Sequence, residues 1–436
     1  MNLRQIALRI LDEYEAGEKY INLALSSHLT DKLSSEEKAA LTALLYTTVE
    51  RKLTYDYYIC AISKRSDSDI DPHTKNILRL GFCQILDMKS IPDFAAVNET
   101  VNLCSGKGEK TFVNGILRAA VRQKENLPMP SAEKNYRRYL SVKYSFPLGL
   151  VKYFDSVFGR EKIEQLLAFY NNQKYTDITV NTLKTSIEEY SELLEGKKIT
   201  ALQNPYAPNS LRIPFSVNPE RLPKFSDGYC FVQDRASAIS SVVLSPSEGD
   251  VIVDVCSAPG GKSFSAAIYS QDKAEIHSFD LHESKLSLIE SGANRLGLNS
   301  IKVCQRDALT PDEGLIGGAD KVICDVPCSG LGVLGKKPDL RYKDLSTLEE
   351  LPKLQISILA TSSRYLKPGG VLVYSTCTLN SMENENVVNE FLENHKDFRL
   401  VPISLHGLES EGGMLTLTPM ENETDGFFVA KMQRVE

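Results

Sequence analysis

Residues Val251 to Ser263 read Val-Ile-Val-Asp-Val-Cys-Ser-Ala-Pro-Gly-Gly-Lys-Ser, and this stretch decides the fold of the domain around it. Its first half is a β-branched run, which is typical of a strand covered on both faces of a parallel sheet. The run stops at small residues, a proline and the pair Gly260 and Gly261, where the backbone can approach a ligand and open a helix. The pattern predicts a cofactor site in a tight turn between strand and helix. An ordinary strand-to-helix connection is the alternative.

The segments around this stretch alternate between strand-like and helix-like patterns. A helix is predicted from Asp234, and strands are predicted near residues 251–256, 275–280, 301–306, 321–326 and 371–376. This alternation is typical of a doubly wound parallel sheet, in which ligands bind outside the carboxyl ends of the strands. Residues 233–436 are therefore predicted to form a Rossmann-like α/β domain.

Two more domains are predicted in front of it, because 436 residues exceed the usual size of one domain. Residues 1–130 carry apolar residues at helical spacing together with helix-capping signals, which predict an all-α bundle. Residues 131–232 begin with a proline-bounded linker and continue with short helices and strands, which predict a small α+β module. The expected fold class is multi-domain, with an all-α, an α+β and an α/β part.

Cations alternate with aromatic rings just after the first domain, and Arg137 and Arg138 lie in this stretch. Such a mixture suits RNA phosphates and stacked bases. A solvated helix face would have the same composition, so both interpretations stay open.

Charge is unevenly distributed along the chain. The net charge is −7, and residues 246–436 alone carry 18 Lys and Arg against 28 Asp and Glu. Because the remaining residues are slightly basic, a polyanion is expected to bind mainly in front of the α/β domain.

The composition argues against several classes of protein. The chain has no run of roughly 18 apolar residues, so we expect a cytoplasmic protein without a membrane span. Nine cysteines without a Cys-x-x-Cys pair, and only six histidines, argue against a zinc site and a disulfide framework. We expect a monomer without bound metal.

Two nucleotide-binding motifs are nearly matched. Residues 256–263 approach the P-loop pattern, but Cys256 replaces its first glycine and Pro259 offers no N–H to a phosphate. Residues 330–335 match the dinucleotide fingerprint, but Pro338 follows closely where a helix should begin. A P-loop-like nucleotide hydrolase is a less favoured alternative.

Acidic and thiol side chains follow the predicted strands. Asp280 ends the second strand, where an acid commonly binds ribose hydroxyls, and Asp307 ends the third, although either could cap a helix. The fourth strand ends at Asp325 and is followed by Cys328, and Cys377 follows the fifth. Because these strand ends meet at one edge of the sheet, we expect a nucleoside-containing cofactor, a carboxylate and two thiols together.

Several segments resemble one enzyme family in order. They are Asp254-Val-Cys-Ser-Ala-Pro-Gly-Gly-Lys262, Asp325-Val-Pro-Cys-Ser-Gly330, Lys337-Pro-Asp339 and Ser375-Thr-Cys377. They are similar to the motifs of the S-adenosylmethionine-dependent RNA 5-methylcytosine methyltransferases, the Nop/Sun family. Phe112-Val-Asn-Gly-Ile-Leu-Arg118 resembles the RNA-binding antitermination factor NusB. A NusB-like bundle in front is similar to the bacterial RsmB (Sun, Fmu) branch, which methylates 16S, small-subunit ribosomal RNA.

The resemblance implies a role for each motif. Carbon 5 of cytosine is a poor nucleophile, so a thiolate must first add to carbon 6. The resemblance assigns this attack to Cys377, proton removal and enzyme release to Cys328, and activation of the base to Asp325. The S-adenosyl-L-methionine-binding residues that it implies are Cys256, Ser257, Ala258, Pro259, Gly260, Gly261, Lys262, Asp280, Asp307 and Asp325.

The resemblance says less about the RNA contacts and the substrate than about the catalytic residues. Lys336, Lys337 and Arg341 are expected to bind RNA phosphates. The alternatives are the same chemistry on transfer RNA or another RNA, and a non-catalytic RNA-binding protein, against which the presence of both cysteines argues.

Overall fold

The computed structural model describes residues 2–17, 21–29, 33–173, 175–214, 217–343, 349–405 and 407–435. The chain forms two compact units. Unit 1 comprises Met1–Asn171 and Leu334–Leu345, and unit 2 comprises Asn172–Val333 and Ser346–Glu436. The bounds of these units differ from the predicted domain boundaries at residues 130 and 232, so the three-domain division stays a prediction. No helix in the described ranges is long and apolar enough to span a membrane.

Unit 1 is helical, as the sequence predicts for its first part. Its helices are α1 Leu3–Glu15, α2 Ile21–His28, α3 Ser35–Glu50, α4 Lys52–Ser63, α5 Pro72–Leu86, α6 Asp93–Val101, α7 Lys107–Arg122, α8 Tyr136–Tyr144 and α9 Leu148–Asn171. Asn2 and Ser34 form capping boxes at α1 and α3, and Asp71 caps α5 in front of Pro72. The apolar faces of α1 to α7 share one buried core. The prediction of an all-α bundle is confirmed.

Unit 2 begins with a small antiparallel sheet and one helix. Its strands are β1 Tyr175–Val180, β2 Leu202–Gln203, β3 Ser210–Pro214 and β4 Cys230–Val232, with α10 Ile187–Gly196 between β1 and β2. The strand order is β2-β3-β1-β4. The Asp177 carboxylate accepts hydrogen bonds of 2.8 and 3.1 Å from Arg212, and both side chains are buried. An ion pair therefore lies inside this module.

Asp177→Asn is expected to destabilise unit 2 by about 3 kcal/mol, because it leaves the buried Arg212 cation without a charged partner. Hydrogen exchange of the β1 and β3 amides in increasing urea measures this loss. Asp227→Asn is the matched control, since the ion pair of Asp227 with Lys224 is half-exposed and worth little. Equal protection of the amides in both variants would contradict the prediction.

The large sheet of unit 2 follows. Its strands are β5 Val251–Asp254, β6 Glu275–Asp280, β7 Ile301–Gln305, β8 Ala319–Asp325, β9 Leu366–Thr376, β10 Phe398–Leu400, β13 Met414–Leu417 and β14 Phe427–Arg434. The helices are α11 Arg235–Leu244, α12 Gly261–Tyr269, α13 Glu283–Leu296, α14 Leu351–Ser363, α15 Glu385–Asn394 and α16 Pro419–Asn422, and β11 Ile403–Leu405 pairs with β12 Leu408–Ser410.

The sheet is mixed, which corrects the prediction of a doubly wound parallel sheet. Strands β9, β8, β5, β6 and β7 are parallel, in that order, as predicted. Strand β14 pairs antiparallel with β9, and β10 and β13 pair antiparallel with β14. Because β5 lies between β8 and β6, the chain order reverses there, and the carboxyl ends of β5 and β8 border the crevice where such sheets bind ligands.

Candidate active site

The turn after β5 is held by backbone and side-chain contacts from the end of β6. The Ser257 N–H and hydroxyl both donate to the Phe279 carbonyl, at 2.8 and 3.0 Å. The Ala258 N–H donates to the Asp280 carboxylate at 3.2 Å. Gly260 has φ +108°, and a Cβ there would lie 2.4 Å from the Phe264 ring. The turn therefore needs glycine at this position, as the sequence predicts.

The two acids that the sequence predicts to bind the cofactor differ in their surroundings. Asp280 is buried and also accepts the His282 N–H at 3.0 Å, so it lies directly beside the turn. Asp307 is exposed after β7 and accepts the Leu309 N–H at 2.9 Å, which closes a local turn. The structure brings Asp280, but not Asp307, into hydrogen-bond contact with the turn after β5.

Asp254, at the end of β5, opens one of the motifs quoted above, but the sequence assigned it no role in the site. It is buried, and it accepts a 2.6 Å hydrogen bond from the Ser263 hydroxyl. Burial raises the pKa of Asp254 to about 7, although the Ser263 hydrogen bond and Lys262 act in the opposite direction. The sequence did contain a sign of its importance, because Asp254 is a lone acid inside an apolar strand, and a buried acid needs specific partners.

Gln233 is a second residue that the sequence did not assign to the site. Its amide oxygen accepts hydrogen bonds from Thr179 at 2.7 Å and Ser265 at 2.9 Å, and its amide nitrogen donates to the Gly261 carbonyl at 3.1 Å. Within unit 2, this side chain joins the small sheet to the first turn of α12.

Asp325 is held from two sides at the end of β8. Lys262 Nζ lies 2.7 Å from one carboxylate oxygen, and the Ser375 hydroxyl donates to the other at 2.6 Å. Burial lowers the pKa of Lys262, but the Asp325 carboxylate raises it, and the net shift is upward. Lys262 therefore stays a cation, and the carboxylate is fixed in one orientation.

Cys328 and Cys377 face each other beside this ion pair. Their Sγ atoms lie 3.1 Å apart, and the Cys377 N–H donates to Cys328 Sγ at 3.3 Å. The hydrogen bond with Cys377, together with burial, raises the pKa of Cys328 well above its usual range. Cys328 therefore keeps its proton at neutral pH, beside a second sulfur that can receive or supply one.

A buried carboxylate that the sequence did not reveal holds the two cysteine loops. Glu383 accepts hydrogen bonds from the Ser329 N–H at 2.8 Å, from Gln355 at 3.0 Å and from Asn380 at 2.9 Å. The Ser329 hydroxyl lies 2.7 Å from the Thr378 hydroxyl. The loops after β8 and β9 are thereby fixed to each other.

The residues predicted to bind RNA lie in unit 1. Arg137 is exposed and pairs with Asp155 at 2.5 Å, and Arg138 is exposed and lies over the Tyr57 ring. Lys337 is exposed, and Lys336 is half-buried.

The prediction for Arg341 needs correction. Its side chain is 0% exposed and donates to main-chain carbonyls inside unit 1, so it presents no cation to an RNA phosphate.

The turn after β5 distinguishes this sheet from that of a nucleotide hydrolase, because Cys256 and Pro259 leave it unsuited to a phosphate. Two thiols beside a fixed carboxylate suit covalent chemistry on a carbon atom. The fold and this site together define a Rossmann-like methyltransferase.

Comparisons with known proteins identify the family. Residues 241–433 match the family described as 16S rRNA methyltransferase RsmB/F, residues 1–122 match the NusB family, and residues 146–218 match the ferredoxin-like domain of RsmF/B-like methyltransferases. The chain therefore belongs to the RsmB family of small-subunit ribosomal RNA methyltransferases, as its motifs indicated.

Relatives of full length support this membership. The chain is 33% identical to a probable ribosomal RNA small subunit methyltransferase B of Synechocystis, covering 100% of both chains. It is 31% identical to a probable ribosomal RNA small subunit methyltransferase B of Bacillus subtilis, covering 99% of both chains. The crystal structure of PH0851 superposes with a TM-score of 0.81 at 26% identity, covering 100% of this chain and 99% of that one.

Proposed function

We propose that this protein transfers the methyl group of S-adenosylmethionine to carbon 5 of a cytosine in small-subunit ribosomal RNA, through a covalent adduct between a cysteine and carbon 6. The observation that carries the proposal is the 3.1 Å approach of Cys328 and Cys377 beside a carboxylate fixed by Lys262. A methyltransferase that acts on a nitrogen has no need of a nucleophilic thiol.

The residues suit the proposed steps. The Cys377 thiolate would add to carbon 6, and the resulting enamine carbon 5 would take up the methyl group. The Asp325 carboxylate, at 2.7 Å from Lys262, would accept a hydrogen bond from a ring N3 that has taken up a proton from solvent, and the protonated ring has a more electrophilic carbon 6. Cys328 would first release its own proton to solvent, and its thiolate would then take the proton of carbon 5. The electron pair of that C–H bond would restore the double bond between carbons 5 and 6, and the Cys377 sulfur would leave carbon 6 as a thiolate.

The turn after β5 suits the methyl donor. Its methionine part would be held by the residues of the turn, which are Cys256, Ser257, Ala258, Pro259, Gly260, Gly261 and Lys262. Asp280 would bind its ribose, and Asp307 would bind its adenine region. Asp325 would hold the end that carries the reacting methyl group. The buried Asp280 beside the Ala258 N–H fits a ligand with ribose hydroxyls. When bound, S-adenosylmethionine supplies an electrophilic methyl group.

We infer that Arg137, Arg138, Lys336 and Lys337 contribute to RNA phosphate binding. Arg137, Arg138 and Lys337 are exposed and Lys336 is half-buried, and cations at a surface suit a polyanion, whereas residues 246–436 are acidic overall. Neutralising such a contact would weaken binding and flatten its dependence on salt.

The identity of the methylated nucleoside tests the proposed function. With methyl-labelled S-adenosylmethionine and small-subunit ribosomal RNA, the label is expected in 5-methylcytidine after digestion to nucleosides. Label in another nucleoside would overturn the assignment of carbon 5, and label only in transfer RNA would change the substrate. Calorimetric binding of ATP with magnesium, without binding of S-adenosylmethionine, would favour the hydrolase alternative.

Gly332→Ala is expected to lower the turnover number by about 10²-fold, because a small displacement of reacting groups has that effect. The Gly332 N–H donates to the Cys377 carbonyl at 3.0 Å, and a Cβ would lie 1.8 Å from the Gly426 carbonyl oxygen. The backbone that follows Cys328 must therefore move. Steady-state kinetics measure the effect, and Gly412→Ala, where a Cβ meets nothing within 4 Å, should retain full activity. Unchanged turnover in Gly332→Ala would contradict the prediction.

A further inference from the structure

Glu383 is a buried carboxylate that the proposed steps do not use. It is 0% exposed, and it accepts hydrogen bonds from the Ser329 N–H at 2.8 Å and from the side-chain amides of Gln355 and Asn380 at 3.0 and 2.9 Å. The Tyr374 hydroxyl donates to its carbonyl at 2.6 Å, which ties its backbone to β9. Both carboxylate oxygens accept from neutral donors, so the ionised form is stabilised while its charge stays unneutralised by these partners.

The same hydrogen bonds hold the backbone on both sides of Cys328. Ser329 follows Cys328 directly, and its N–H donates to Glu383. The Gln355 amide that donates to Glu383 also donates to the Pro327 carbonyl at 2.9 Å. All of these residues belong to unit 2. Cys328 therefore lies between two anchored neighbours, and Glu383 is the acceptor that connects them.

The charged surroundings of the two sulfurs differ. The hydrogen bond with the other sulfur and then burial raise the pKa of Cys328 most, and the negative charges of Glu383 and Asp325 raise it further. The Lys262 cation, by contrast, interacts electrostatically with the Cys377 sulfur. An anion nearby makes a thiolate more basic, and a cation nearby makes it easier to form. Such opposite surroundings separate the tasks of two paired titratable groups.

We propose that Glu383 is the positioning residue of the release step, which holds Cys328 in place by its contacts and makes its thiolate the stronger base by its charge. The proposal rests on the proposed function, because it concerns the step in which the Cys328 thiolate takes the proton of carbon 5. The electron pair of that C–H bond then forms the double bond between carbons 5 and 6, and the Cys377 sulfur leaves as a thiolate. Glu383 takes up no proton in this step and acts only through Cys328.

Glu383→Gln tests the charge, because it keeps the size of the side chain. In the full-length protein without RNA, the rate at which iodoacetamide alkylates Cys328 is measured across pH by mass spectrometry of the peptide that carries it. Loss of the negative charge lowers the pKa of the thiol, so alkylation is expected to begin about one pH unit lower than in the unaltered protein. The other titratable groups around the two sulfurs stay unchanged in this variant, and they are Lys262, Asp325, Tyr374 and Cys377.

Two controls accompany this variant. Glu390→Gln removes an exposed carboxylate from α15 and should leave both the alkylation profile and the turnover unchanged. Cys324 on β8 is 0% exposed, so its alkylation reports unfolding of unit 2. A folding defect is thereby distinguished from an altered Cys328 thiol.

The same variant is then incubated with small-subunit ribosomal RNA and S-adenosylmethionine. Glu383→Gln is expected to lower the turnover number about tenfold or more, since a weaker base removes the proton more slowly. The fraction of protein bound covalently to RNA should rise toward that of Cys328→Ser, because Cys377 still attacks. The affinity for S-adenosylmethionine in calorimetry should stay unchanged.

The alkylation profile and the kinetics can each overturn the proposal. An unshifted profile, with Cys324 protected, would overturn the role of the charge, and a shifted profile with normal turnover would overturn the role in release. If Glu383→Gln exposes Cys324, the decision passes to Gln355→Met, which removes the donor to Pro327 and leaves the carboxylate in place. Increased adduct in that variant supports the proposal, and normal turnover and adduct would overturn it.

Failure of the proposed function gives a different result. Absence of 5-methylcytidine with the unaltered protein would overturn the proposed function and the release role of Glu383 with it. The alkylation profile needs neither RNA nor S-adenosylmethionine, so it decides separately whether Glu383 makes the Cys328 thiolate more basic.

Discussion

Cys377→Ser is expected to lose methyl transfer by a factor of about 10⁴ or more, since removal of a covalent nucleophile has effects of this size. A serine hydroxyl is far less acidic than a thiol and does not form the attacking anion at neutral pH. Binding of S-adenosylmethionine should stay unchanged in calorimetry, because the turn after β5 is untouched. No protein should be shifted by attached RNA on a denaturing gel.

Cys328→Ser should give the opposite gel result. Its turnover is expected to fall strongly, but Cys377 still adds to carbon 6, so RNA-bound protein should accumulate. The raised pKa of the Cys328 thiol fits a group that exchanges a proton rather than one that attacks as a thiolate. The two variants are therefore controls for each other, because each removes one sulfur of the same pair.

The reverse pattern, with adduct in Cys377→Ser and none in Cys328→Ser, would exchange the two roles. Full activity of Cys377→Ser would exclude a covalent route through this residue. Either result would leave the family membership intact, because it rests on the whole chain and not on the two sulfurs.

The central strands and the cofactor turn could be predicted because their signals are local. The β-branched run at Val251, the need for Gly260 and the acid at Asp280 lie within about thirty residues of sequence. Parallel pairing then brings strand ends together, so the meeting of Asp325, Cys328 and Cys377 follows from topology.

Other features depend on contacts between distant parts of the chain. Strand β14 is buried on β9 in antiparallel register, and nothing in its own sequence gives its direction. Glu383 lies in a polar run that would suit an exposed loop, and its burial arises only from packing with Ser329 and Gln355. Arg341 follows two lysines and has the composition of a basic patch, yet its partners Glu50 and Phe146 are far away in sequence.

Asp325→Asn and Lys262→Met are each expected to lower kcat/KM by about 10²–10⁴-fold, the range typical of a lost acid–base group. The amide introduced by Asp325→Asn cannot carry the charge that Lys262 pairs with, and Lys262→Met leaves the Asp325 carboxylate without its cation. In Asp325→Asn the pKa of Lys262 should fall, because burial then acts without the opposing carboxylate. Steady-state kinetics across pH measure these losses.

The double variant decides whether the two residues act as one unit. Because Lys262 Nζ and the Asp325 carboxylate are 2.7 Å apart, the loss in Asp325→Asn/Lys262→Met should not exceed that of the worse single variant. Ser375→Ala is the milder comparison, since it removes one hydrogen bond from the carboxylate and leaves the ion pair in place. Lys262 also lies in the cofactor turn, so the affinity for S-adenosylmethionine must be measured for every variant and separated from the loss in turnover. Losses that simply multiply in the double variant would mean that Lys262 serves the cofactor and Asp325 serves the base independently.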